Sequence, residues 1–528
     1  MKILIPMGGT GQRFLKAGYR MPKPLIPVDG IPVIEHIIRN FSGEDTFVFG
    51  IHEDHERDFA MSRYLRSLVP QCKIVTMPYQ ADGPVGTVRQ MLSEVDDEEP
   101  VIVNHCDFSW TWDYADFKRQ VRDSDCGGAI ACYTGFHPHL LGPNLYATCD
   151  ADGKWMNEIR EKFSRHGDKE KDWTSSGTYY FGRGRYLKKY CARIREKDDW
   201  KIRGEHYVSQ LFQLMKGDGL RVLIYPIPYM LQWGTPEDLK EYLYWSRYFR
   251  QKGPFEQAPV SALPMNVVVL MAGAGKRFSE QGYEMPKPFI PVDDSLMVIK
   301  STQCLPHGNR YIFISRQDLR NGPGEALIQE SFPESRILYI NALSEGQAVT
   351  ALFAENEVAG DAPLLIGACD HAILFDRDRF QELASPQSSV DALIFTFRHH
   401  PVVQCHPEMF GWVRTDDCGR AVEVSVKVPL PGDLLEHHAI IGAFWFRKAA
   451  GFMEHAHAMI EKNDRIRGEF YIDQCMNYLI RDGLQVRVFE VDQYASWGKP
   501  EDLRVYQYWQ SFFDQAAFHP YRRQGVTK

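Results

Sequence analysis

The sequence KILIPMGGTGQRF occupies residues 2–14 and places a glycine-rich loop directly after a run of apolar residues. A closely similar stretch, NVVVLMAGAGKRF, occupies residues 266–278. The apolar run predicts a buried strand, and a glycine-rich turn after a strand lets backbone N–H groups approach phosphate oxygens closely. The sequence therefore predicts a strand followed by a phosphate-binding loop at two places in one chain.

A repeat of a whole domain organises the chain. Residues 1–29 align without a gap on residues 265–293, with sixteen identities. Later blocks keep nearly the same offset, since IRGEHY begins at Ile202 and IRGEFY at Ile466, and WGTPEDL and WGKPEDL follow in each copy. The period is too long for a solenoid and predicts two large domains. We place these domains at residues 1–250 and 265–528, joined by a Pro/Gln/Ala-rich linker over residues 251–264.

Strands and helices alternate through the first copy. Apolar runs predict strands, and longer amphipathic stretches predict helices; the strands are 2–7, 46–51, 73–77 and 100–106, and the helices are 32–41, 57–69 and 85–95. This alternation is typical of an α/β fold, in which a largely parallel sheet is covered on both faces. Ligands in such sheets bind at the carboxyl ends of the strands, which is where the first glycine loop and Asp107 fall.

Composition excludes several classes of protein. The net charge of −8 over 528 residues argues against a general nucleic-acid-binding protein, which usually has a basic surface. The sequence has no run near the about 18 apolar residues of a membrane-spanning helix. Its eleven cysteines include no C-x-x-C pair, so neither a zinc ribbon nor a disulfide framework is indicated. We expect a cytoplasmic protein that binds neither nucleic acid nor membranes.

The glycine loop differs from two better-known phosphate-binding motifs. A dinucleotide fingerprint needs a third glycine where Phe14 and Phe278 stand, and a Walker A loop needs Ser or Thr where Arg277 stands. What remains is G-x-G-x-R, followed nine residues later by P-K-P. Arg13 offers a planar fork for bidentate phosphate contact, and Lys23 is held between two prolines as a point charge. This combination, present twice, predicts a site for a polyphosphate.

These motifs resemble those of the nucleotidyltransferase family of sugar-phosphate pyrophosphorylases. The likeness covers both halves and, through the terminal GTPEDL segment, points to the capsule and surface-polysaccharide branch of that family. The resemblance implies two tandem Rossmann-like (GT-A-type) domains with mixed, largely parallel sheets. It also implies transfer of a nucleotidyl group from a nucleoside triphosphate to a phosphorylated acceptor, with release of pyrophosphate.

The resemblance assigns nucleotide-site roles position by position. The implied catalytic residues are Arg13, Lys23, Arg277 and Lys287. The implied nucleotide-binding residues are Gly8, Gly9, Gly11, Gly83, Gly273, Gly275 and Gly346, with Gln80 as a weaker base-reading candidate. Asp107 and Asp370, each at a predicted strand end, match the Mg²⁺-binding aspartate, although either could instead cap the next helix.

The acceptor side is implied by a second set of positions. They are Glu161, Lys162, Gly177, Glu205, Lys427, Gly442 and Glu469. Competing interpretations are a strand-edge ion pair, turn glycines and acids in the first turn of a helix. The chain also departs from the family pattern. Gln232 and Ser496 stand where many members have a second metal-binding aspartate, Val426 replaces Glu161 in the second half, and Lys499 replaces Thr235.

The resulting hypothesis is a Mg²⁺-dependent nucleotidyltransferase that acts on a nucleoside triphosphate and a phosphorylated small molecule, with a sugar phosphate as the first choice. Its product would be an activated precursor for surface polysaccharide. Three alternatives remain: a nucleotide-binding scaffold with one or both halves inactive, a cytidylyltransferase for a non-sugar phospho-compound, and a nucleotide-sugar glycosyltransferase. The last is disfavoured because that group usually needs Asp-x-Asp, whereas CDFSW and CDHAI, around Asp107 and Asp370, carry a single Asp each. The two halves are candidates to pack as an intramolecular pseudo-dimer.

Overall fold

The chain is divided into two compact units in the computed structural model, which describes residues 1–79 and 82–521 apart from the side chain of Cys405. Unit 1 comprises Met1–Leu243 and unit 2 comprises Tyr244–Lys528. The division falls inside one long helix, Pro236–Gln257. The predicted linker is therefore helical as far as Gln257, and the next strand begins at Leu263.

Unit 1 alternates strands and helices. Its strands are β1 (Lys2–Met7), β2 (Pro27–Val28), β3 (Ile31–Pro32), β4 (Thr46–His52), β5 (Lys73–Met77), β6 (Val101–Asn104), β7 (Phe108–Thr111), β8 (Gly128–Tyr133), β9 (Ala147–Asp152), β10 (Trp155–Glu161), β11 (Trp173–Phe181), β12 (Val222–Pro226) and β13 (Tyr229–Gln232). Its helices are α1 (Gln12–Lys16), α2 (Val33–Ile38), α3 (Glu53–Phe59), α4 (Met61–Leu68), α5 (Pro84–Gln90), α6 (Tyr114–Asp123), α7 (Gly184–Arg193), α8 (Val208–Gly217) and α9 (Pro236–Gln257).

The main sheet of unit 1 has nine strands in the order β5-β4-β1-β6-β11-β8-β12-β10-β9. Strands β5, β4, β1 and β6 are mutually parallel, and β11 is antiparallel to both of its neighbours, β6 and β8. Central strand β1 is buried on both faces because Ile3, Leu4 and Ile5 have no exposed surface. The parallel part places the carboxyl ends of β1 and β6, and hence the loops that follow them, at one edge of the sheet.

Unit 2 repeats this pattern of elements. Its strands are β14 (Leu263–Leu270), β15 (Pro291–Val292), β16 (Ser295–Leu296), β17 (Gly308–Arg316), β18 (Arg336–Ile340), β19 (Leu364–Ala368), β20 (His371–Leu374), β21 (Ala392–Phe397), β22 (Gly411–Thr415), β23 (Ala421–Val426), β24 (His438–Phe446), β25 (Val486–Glu490) and β26 (Gln493–Ser496). Its helices are α10 (Lys276–Glu280), α11 (Met297–Gln303), α12 (Pro323–Ser331), α13 (Gln347–Leu352), α14 (Arg377–Ala384), α15 (Val402–Cys405), α16 (Ala449–Glu461), α17 (Ile472–Arg481) and α18 (Pro500–Gln515).

The main sheet of unit 2 has the order β18-β17-β14-β19-β24-β21-β25, with β22 joined to β24 and β23 joined to β22. Its first seven positions correspond one for one to β5-β4-β1-β6-β11-β8-β12 of unit 1. Strands β14, β17 and β19 are parallel, and β24 is antiparallel to β19 and β21. The predicted α/β fold with a mixed sheet is confirmed for each unit. The expectation that the sheet is largely parallel is not, because antiparallel pairings of β11 and β24 and of the strands beyond them are as frequent as the parallel ones.

Two predicted helices of unit 1 differ from the structure, one by a break within it and one by an earlier end. The helix predicted over residues 57–69 is two helices, α3 and α4, separated by Ala60 in the left-handed region at φ 48°. Glu56 stabilises the break because its carboxylate accepts hydrogen bonds from the backbone N–H and the hydroxyl of Ser62, at 2.7 and 2.6 Å. The helix predicted over residues 85–95 ends at Gln90, and a 3₁₀ turn follows.

Candidate active site

The glycine-rich loop of each unit connects a central strand to a short helix. In unit 1, β1 ends at Met7, and Gly11 precedes α1 with a left-handed φ of 64°. In unit 2, Gly275 takes the same place before α10, with φ 65°. A β-carbon on Gly275 would lie only 3.1 Å from Cβ of Lys287. Glycine is therefore required here by the backbone conformation, and the loop passes close to the lysine segment.

The other loop residues divide into packed and open positions. A β-carbon on Gly8 would lie 3.0 Å from the side chain of Thr87 on α5, so the first glycine of unit 1 is needed for packing. No described atom lies within 4 Å of a β-carbon placed on Gly9 or Gly273. The side chains of Arg13 and Arg277 are exposed beside these open positions. This arrangement leaves room for an anion above the loop.

A lysine and an aspartate meet at the centre of each unit. Nζ of Lys23 donates to Oδ2 of Asp107 at 2.9 Å and to the carbonyl of Gly234 at 3.3 Å. Nζ of Lys287 donates to Oδ2 of Asp370 in the same way. Each lysine begins a 3₁₀ turn enclosed by prolines, and each aspartate follows the strand next to the glycine-loop strand. The predicted catalytic lysine and the predicted metal-binding aspartate are therefore in contact in both units.

The electrostatics of the pair keep the carboxylates ionised. Burial alone would raise the pKa of Asp107, but the ammonium of Lys23, together with His105 and Arg13, holds that pKa below its ordinary value. The pKa of Asp370 is also lowered, since Lys287 and His371 outweigh its burial. Each site therefore presents an anionic oxygen and a cation side by side at neutral pH.

The terminal G-x-P-E-D-L segment lies against this pair. Strand β13 pairs with β7, and the N–H of Trp233 donates to the carbonyl of Asp107 at 3.1 Å. In unit 2, the N–H of Trp497 donates to the carbonyl of Asp370 at 2.8 Å. A β-carbon on Gly234 would lie 3.4 Å from Oδ2 of Asp107. Residues far apart in sequence thus enclose the aspartate, and glycine allows the close approach.

The predicted base-side glycines hold the start of a helix against the R-G-E-x-Y segment. Gly83 has φ 75°, and a β-carbon on it would lie 2.7 Å from Cβ of Glu205. Gly346 has φ 129°, and its β-carbon would lie 2.6 Å from backbone atoms of Phe470. Both positions therefore exclude any other residue. Gln80, the weaker base-reading candidate, lies outside the described residues.

The predicted acceptor lysines share an unusual backbone. Lys162 follows β10 with φ 52°, and Lys427 follows β23 with φ 59°. Left-handed φ is strained for a lysine, and such strain concentrates at functional positions. Burial lowers the pKa of Lys162, and Arg203 and Arg13 lower it further, so this lysine feels the charge of the phosphate loop. Two of the predicted cationic residues of unit 1, Lys162 and Arg13, therefore lie close enough for their charges to interact.

A tyrosine contacts each acceptor lysine, through a hydrogen bond in unit 1 and through a cation–π contact in unit 2, where Nζ of Lys427 lies 5.3 Å from the ring centre of Tyr471. In unit 1, Nζ of Lys162 donates to the hydroxyl of Tyr207 at 3.0 Å, and that hydroxyl donates to Oε2 of Glu205 at 3.2 Å. Burial and the neighbouring glutamate raise the pKa of Tyr207 to about 12. In unit 2, burial and Glu469 likewise raise the pKa of Tyr471 to about 12. Sequence reasoning missed both tyrosines, although the repeated R-G-E-x-Y block contained the signal.

Two further predicted residues complete the acceptor side of unit 1. Glu161 is partly buried at the end of β10, where its Oε1 accepts a hydrogen bond from the hydroxyl of Ser209 on α8. Burial raises the pKa of Glu161 to about 6. Gly177 has φ 99° in a kink of β11, its carbonyl accepts from the N–H of His105 at 3.2 Å, and a β-carbon on it would lie 2.8 Å from the ring of Phe108. Gly177 therefore lies against the segment that contains Asp107, and Glu161 lies between β10 and α8.

In unit 2, one open cavity of about 730 Å³ unites the predicted residues. Its walls include every predicted position of this unit, namely Gly273, Gly275, Arg277, Lys287, Gly346, Asp370, Lys427, Gly442 and Glu469. The volume lies within the range of small-molecule sites. Residues that the sequence analysis did not single out also contribute, among them Ser344, His406, Tyr471, Asp473 and Asp502.

The residues present fit a magnesium ion held mainly by substrate. Mg²⁺ is usually bound by one or two carboxylates together with substrate phosphates. Asp107 and Asp370 each offer one partly exposed carboxylate beside the glycine loop. In the part of the chain that the structure describes, no group of three or more His, Cys, Asp or Glu residues is placed to hold a metal ion. In unit 2 a further carboxylate, that of Asp502, lines the same cavity and accepts from Ser496 at 3.0 Å.

The fold and the site together place a glycine loop, a lysine and an aspartate at the carboxyl edge of a mixed sheet in each unit. Residues 3–165 match the family model described as a MobA-like NTP transferase domain. The predicted class of enzyme, a nucleotidyltransferase (EC 2.7.7), is confirmed by this match. Nucleotidyltransferases of this kind typically use a divalent metal ion.

Two solved structures each match about half of this chain. The nucleoside-diphosphate-sugar pyrophosphorylase from Vibrio cholerae RC9 is 21% identical, and the match covers 46% of this chain and 99% of that protein with a TM-score of 0.40. The inositol-1-phosphate CTP transferase from T. maritima is 15% identical, with coverage of 49% and 100% and a TM-score of 0.37. No curated protein matches the sequence. Among the described residues, no helix is both long and apolar enough to cross a membrane.

Proposed function

We propose that each unit transfers a nucleotidyl group from a nucleoside triphosphate to a phosphorylated small molecule, with a sugar phosphate as the favoured acceptor. The observation that carries the proposal is the cavity of unit 2, which joins the glycine loop, the Lys287–Asp370 pair and Lys427 in one space. The phosphates of both substrates would meet in this space. The product would be an activated, nucleotide-linked precursor of the kind that surface polysaccharide assembly consumes.

The reaction needs alignment and charge stabilisation more than acid–base chemistry. A phosphate oxygen of the acceptor attacks the α-phosphorus and forms a new P–O bond. The bond from the α-phosphorus to the bridging oxygen breaks, and pyrophosphate leaves with that electron pair. Because the attacking oxygen is already anionic, no general base is required, and the enzyme gains most from fixed positive groups around the transferred phosphoryl.

The residues divide this work by position. Arg277 and the loop amides would hold the β- and γ-phosphates, Lys287 would contact the α-phosphoryl group, and Lys427 would steer the acceptor phosphate. Arg13, Lys23 and Lys162 would have the same roles in unit 1. Asp107 and Asp370 would hold Mg²⁺, which supplies further neutralisation of the phosphate charge when it is bound.

The experiment is a matrix of nucleoside triphosphates against phosphorylated sugars and other small phospho-compounds, with pyrophosphate release as the signal. We expect release that depends on one acceptor class and on Mg²⁺ and stops with EDTA. The matched control is the chain with Lys23→Ala and Lys287→Ala together, which should bind nucleotide weakly and release no pyrophosphate. If the unaltered protein bound no nucleotide and released none across the matrix, the proposal would be wrong.

The scaffold alternative predicts a different result from the same matrix. In that case the protein would bind a nucleoside triphosphate, measured by calorimetry, without acceptor-dependent pyrophosphate release. The structure favours turnover because Lys287 and Asp370 are in contact in unit 2 as Lys23 and Asp107 are in unit 1. A half that only binds nucleotide has no chemical need for both groups.

A further inference from the structure

We propose that Asp473 of unit 2 supplies, from helix α17, the acceptor-side carboxylate that Glu161 supplies from strand β10 in unit 1. Asp473 thus acts through its charge on the acceptor lysine Lys427, which lines the same cavity and whose Nζ donates to the carbonyl of Met409. Only the naming of this lysine as the acceptor lysine rests on the proposed function. The inference itself concerns which residue supplies the carboxylate near that lysine. It implies that Val426, at the position of Glu161, does not mark the loss of an acid from unit 2.

Three positions differ between the units as one set. In unit 1, Ala147 on β9 lies opposite Glu161 on β10 in the antiparallel register. In unit 2, Gly411 on β22 lies opposite Val426 on β23. The third position is Ser209 on helix α8 and Asp473 on helix α17. The carboxylate is on a strand in unit 1 and on a helix in unit 2. The other two positions in unit 2, Gly411 and Val426, leave room for the helix carboxylate and carry no acid.

The contacts of unit 1 show the first arrangement. The carboxylate of Glu161 points toward helix α8, where the hydroxyl of buried Ser209 donates to it. Lys162 is the charged group that lowers the pKa of Glu161. The strand therefore carries the acid, and the helix carries a small donor.

The contacts of unit 2 show the reverse arrangement. Asp473 is buried, lines the cavity, and its Oδ2 occupies the space into which a β-carbon on Gly411 would project. An alanine at this position would collide with the carboxylate, so the glycine makes room for the acid. The side chain of Val426 is buried and apolar and leaves the strand without an acid.

The charge of Asp473 acts on the acceptor lysine. Burial lowers the pKa of Lys427, and among the charged groups around it Asp473 opposes this lowering most strongly. Arg467 and Arg277 act in the same direction as burial, and Glu469 acts with Asp473. Burial in turn raises the pKa of Asp473, and the charge of Lys427, which lines the same cavity, opposes that rise. The arrangement keeps the lysine charged, as binding of an acceptor phosphate requires.

The test relocates the carboxylate in the full-length protein. The variants are Asp473→Ser, and Asp473→Ser combined with Val426→Glu and Gly411→Ala, which rebuilds the unit 1 arrangement. The readout is acetylation of Lys427 by acetic anhydride at pH 8.5, quantified by mass spectrometry against exposed Lys448 in the same sample. Only the neutral amine reacts, so each unit of pKa lowering increases the rate about tenfold.

We expect the acetylation rate of Lys427 relative to Lys448 to rise about threefold or more in the single variant and to return to within about twofold of the original in the triple variant. An unchanged rate in Asp473→Ser, or no return in the triple variant, would overturn the proposal. If Asp473→Ser does not fold, as judged by circular dichroism, Asp473→Asn keeps the shape and must give the same increase. Because no nucleotide is present, the result is independent of whether the proposed transfer reaction occurs.

Discussion

Lys23 and Asp107 contact each other, and the same is true of Lys287 and Asp370. An ion pair of this kind positions both groups before the substrate arrives, because each fixes the rotamer of the other. Each unit therefore holds an ammonium and a carboxylate in fixed positions at the edge of its sheet, and this preorganisation is what the proposed transfer would need.

The backbone conformation and the packing at position 346 require glycine. Its φ of 129° and ψ of 176° lie in a region open essentially to glycine alone, and backbone of Phe470 fills the space of a β-carbon. We expect Gly346→Ala to lower the free energy of unfolding of unit 2 by about 2–3 kcal/mol, measured by urea denaturation. Gly451→Ala is the matched control, since no described atom lies within 4 Å of its β-carbon, and it should stabilise helix α16 by about 0.5–1 kcal/mol. Equal effects of the two substitutions would contradict the argument.

Glu161 predicts a pH dependence of stability. Burial raises its pKa to about 6, from 4.5 in the unfolded chain, so the folded state holds this proton more tightly than the unfolded state does. The resulting stabilisation is complete below about pH 4.5 and is lost as the pH rises through 6. Its full size is about 2 kcal/mol, of which about 1 kcal/mol disappears between pH 5 and pH 7.

The measurement compares the unaltered protein with Glu161→Gln by urea denaturation at pH 5 and pH 7. We expect the stability difference between the two proteins to change by about 1 kcal/mol in favour of the variant at the higher pH. Other titrating groups cancel in this comparison because both proteins contain them. A difference that is constant with pH would mean that Glu161 has an ordinary pKa.

At the level of single elements, the break between α3 and α4 is the clearest departure from the sequence prediction. Ala60 adopts φ 48° and ψ 45°, which costs an alanine about 1–2 kcal/mol relative to glycine. We expect Ala60→Gly to stabilise unit 1 by about 1 kcal/mol, measured as a rise in the urea midpoint. The control is Ala192→Gly, at an exposed position within helix α7, which should destabilise by about 1 kcal/mol. Changes in stability of opposite sign for these two alanine-to-glycine substitutions would verify the left-handed conformation at residue 60.

The predictability of the elements follows from the range of the interactions that form them. Strand β1 and its loop were predictable because an apolar run, a glycine turn and P-K-P are neighbours in sequence. The break at Ala60 was not predictable although its contact, from Ser62 to Glu56, is local, because the periodic pattern continues through it and an alanine gives no sign of a left-handed backbone. Tyr207 was missed for a different reason, because its link to Lys162 spans 45 residues.

At the scale of the whole chain, the repeat predicted two sites, but it gave a misleading account of their difference. Comparison by aligned positions treats Val426 as a lost acid. The register of β22 and β23 and the position of α17 place Asp473 where that acid would act. A one-dimensional alignment cannot reveal this exchange, because strand and helix meet only in the folded unit.

The two acceptor sites nevertheless differ in ways that favour different acceptors. The acid approaches from a strand in unit 1 and from a helix in unit 2, and Lys499 lines the cavity of unit 2 where unit 1 has Thr235. A hydroxyl of an acceptor molecule that is placed to hydrogen-bond with Glu161 in unit 1 would not be placed to hydrogen-bond with Asp473 in unit 2. We therefore expect each unit to prefer its own phosphorylated acceptor, while both use a nucleoside triphosphate.

Two double variants of the full-length protein test this division. Lys23→Ala with Asp107→Ala disables unit 1, and Lys287→Ala with Asp370→Ala disables unit 2. Removal of charged contacts to a transferring phosphoryl group should lower the rate by about 100-fold or more, and only for the acceptor of the disabled unit. Pyrophosphate release with each acceptor, measured for both variants, gives the answer. If one variant lost activity toward every acceptor while the other kept all of it, the second unit would have no catalytic role of its own.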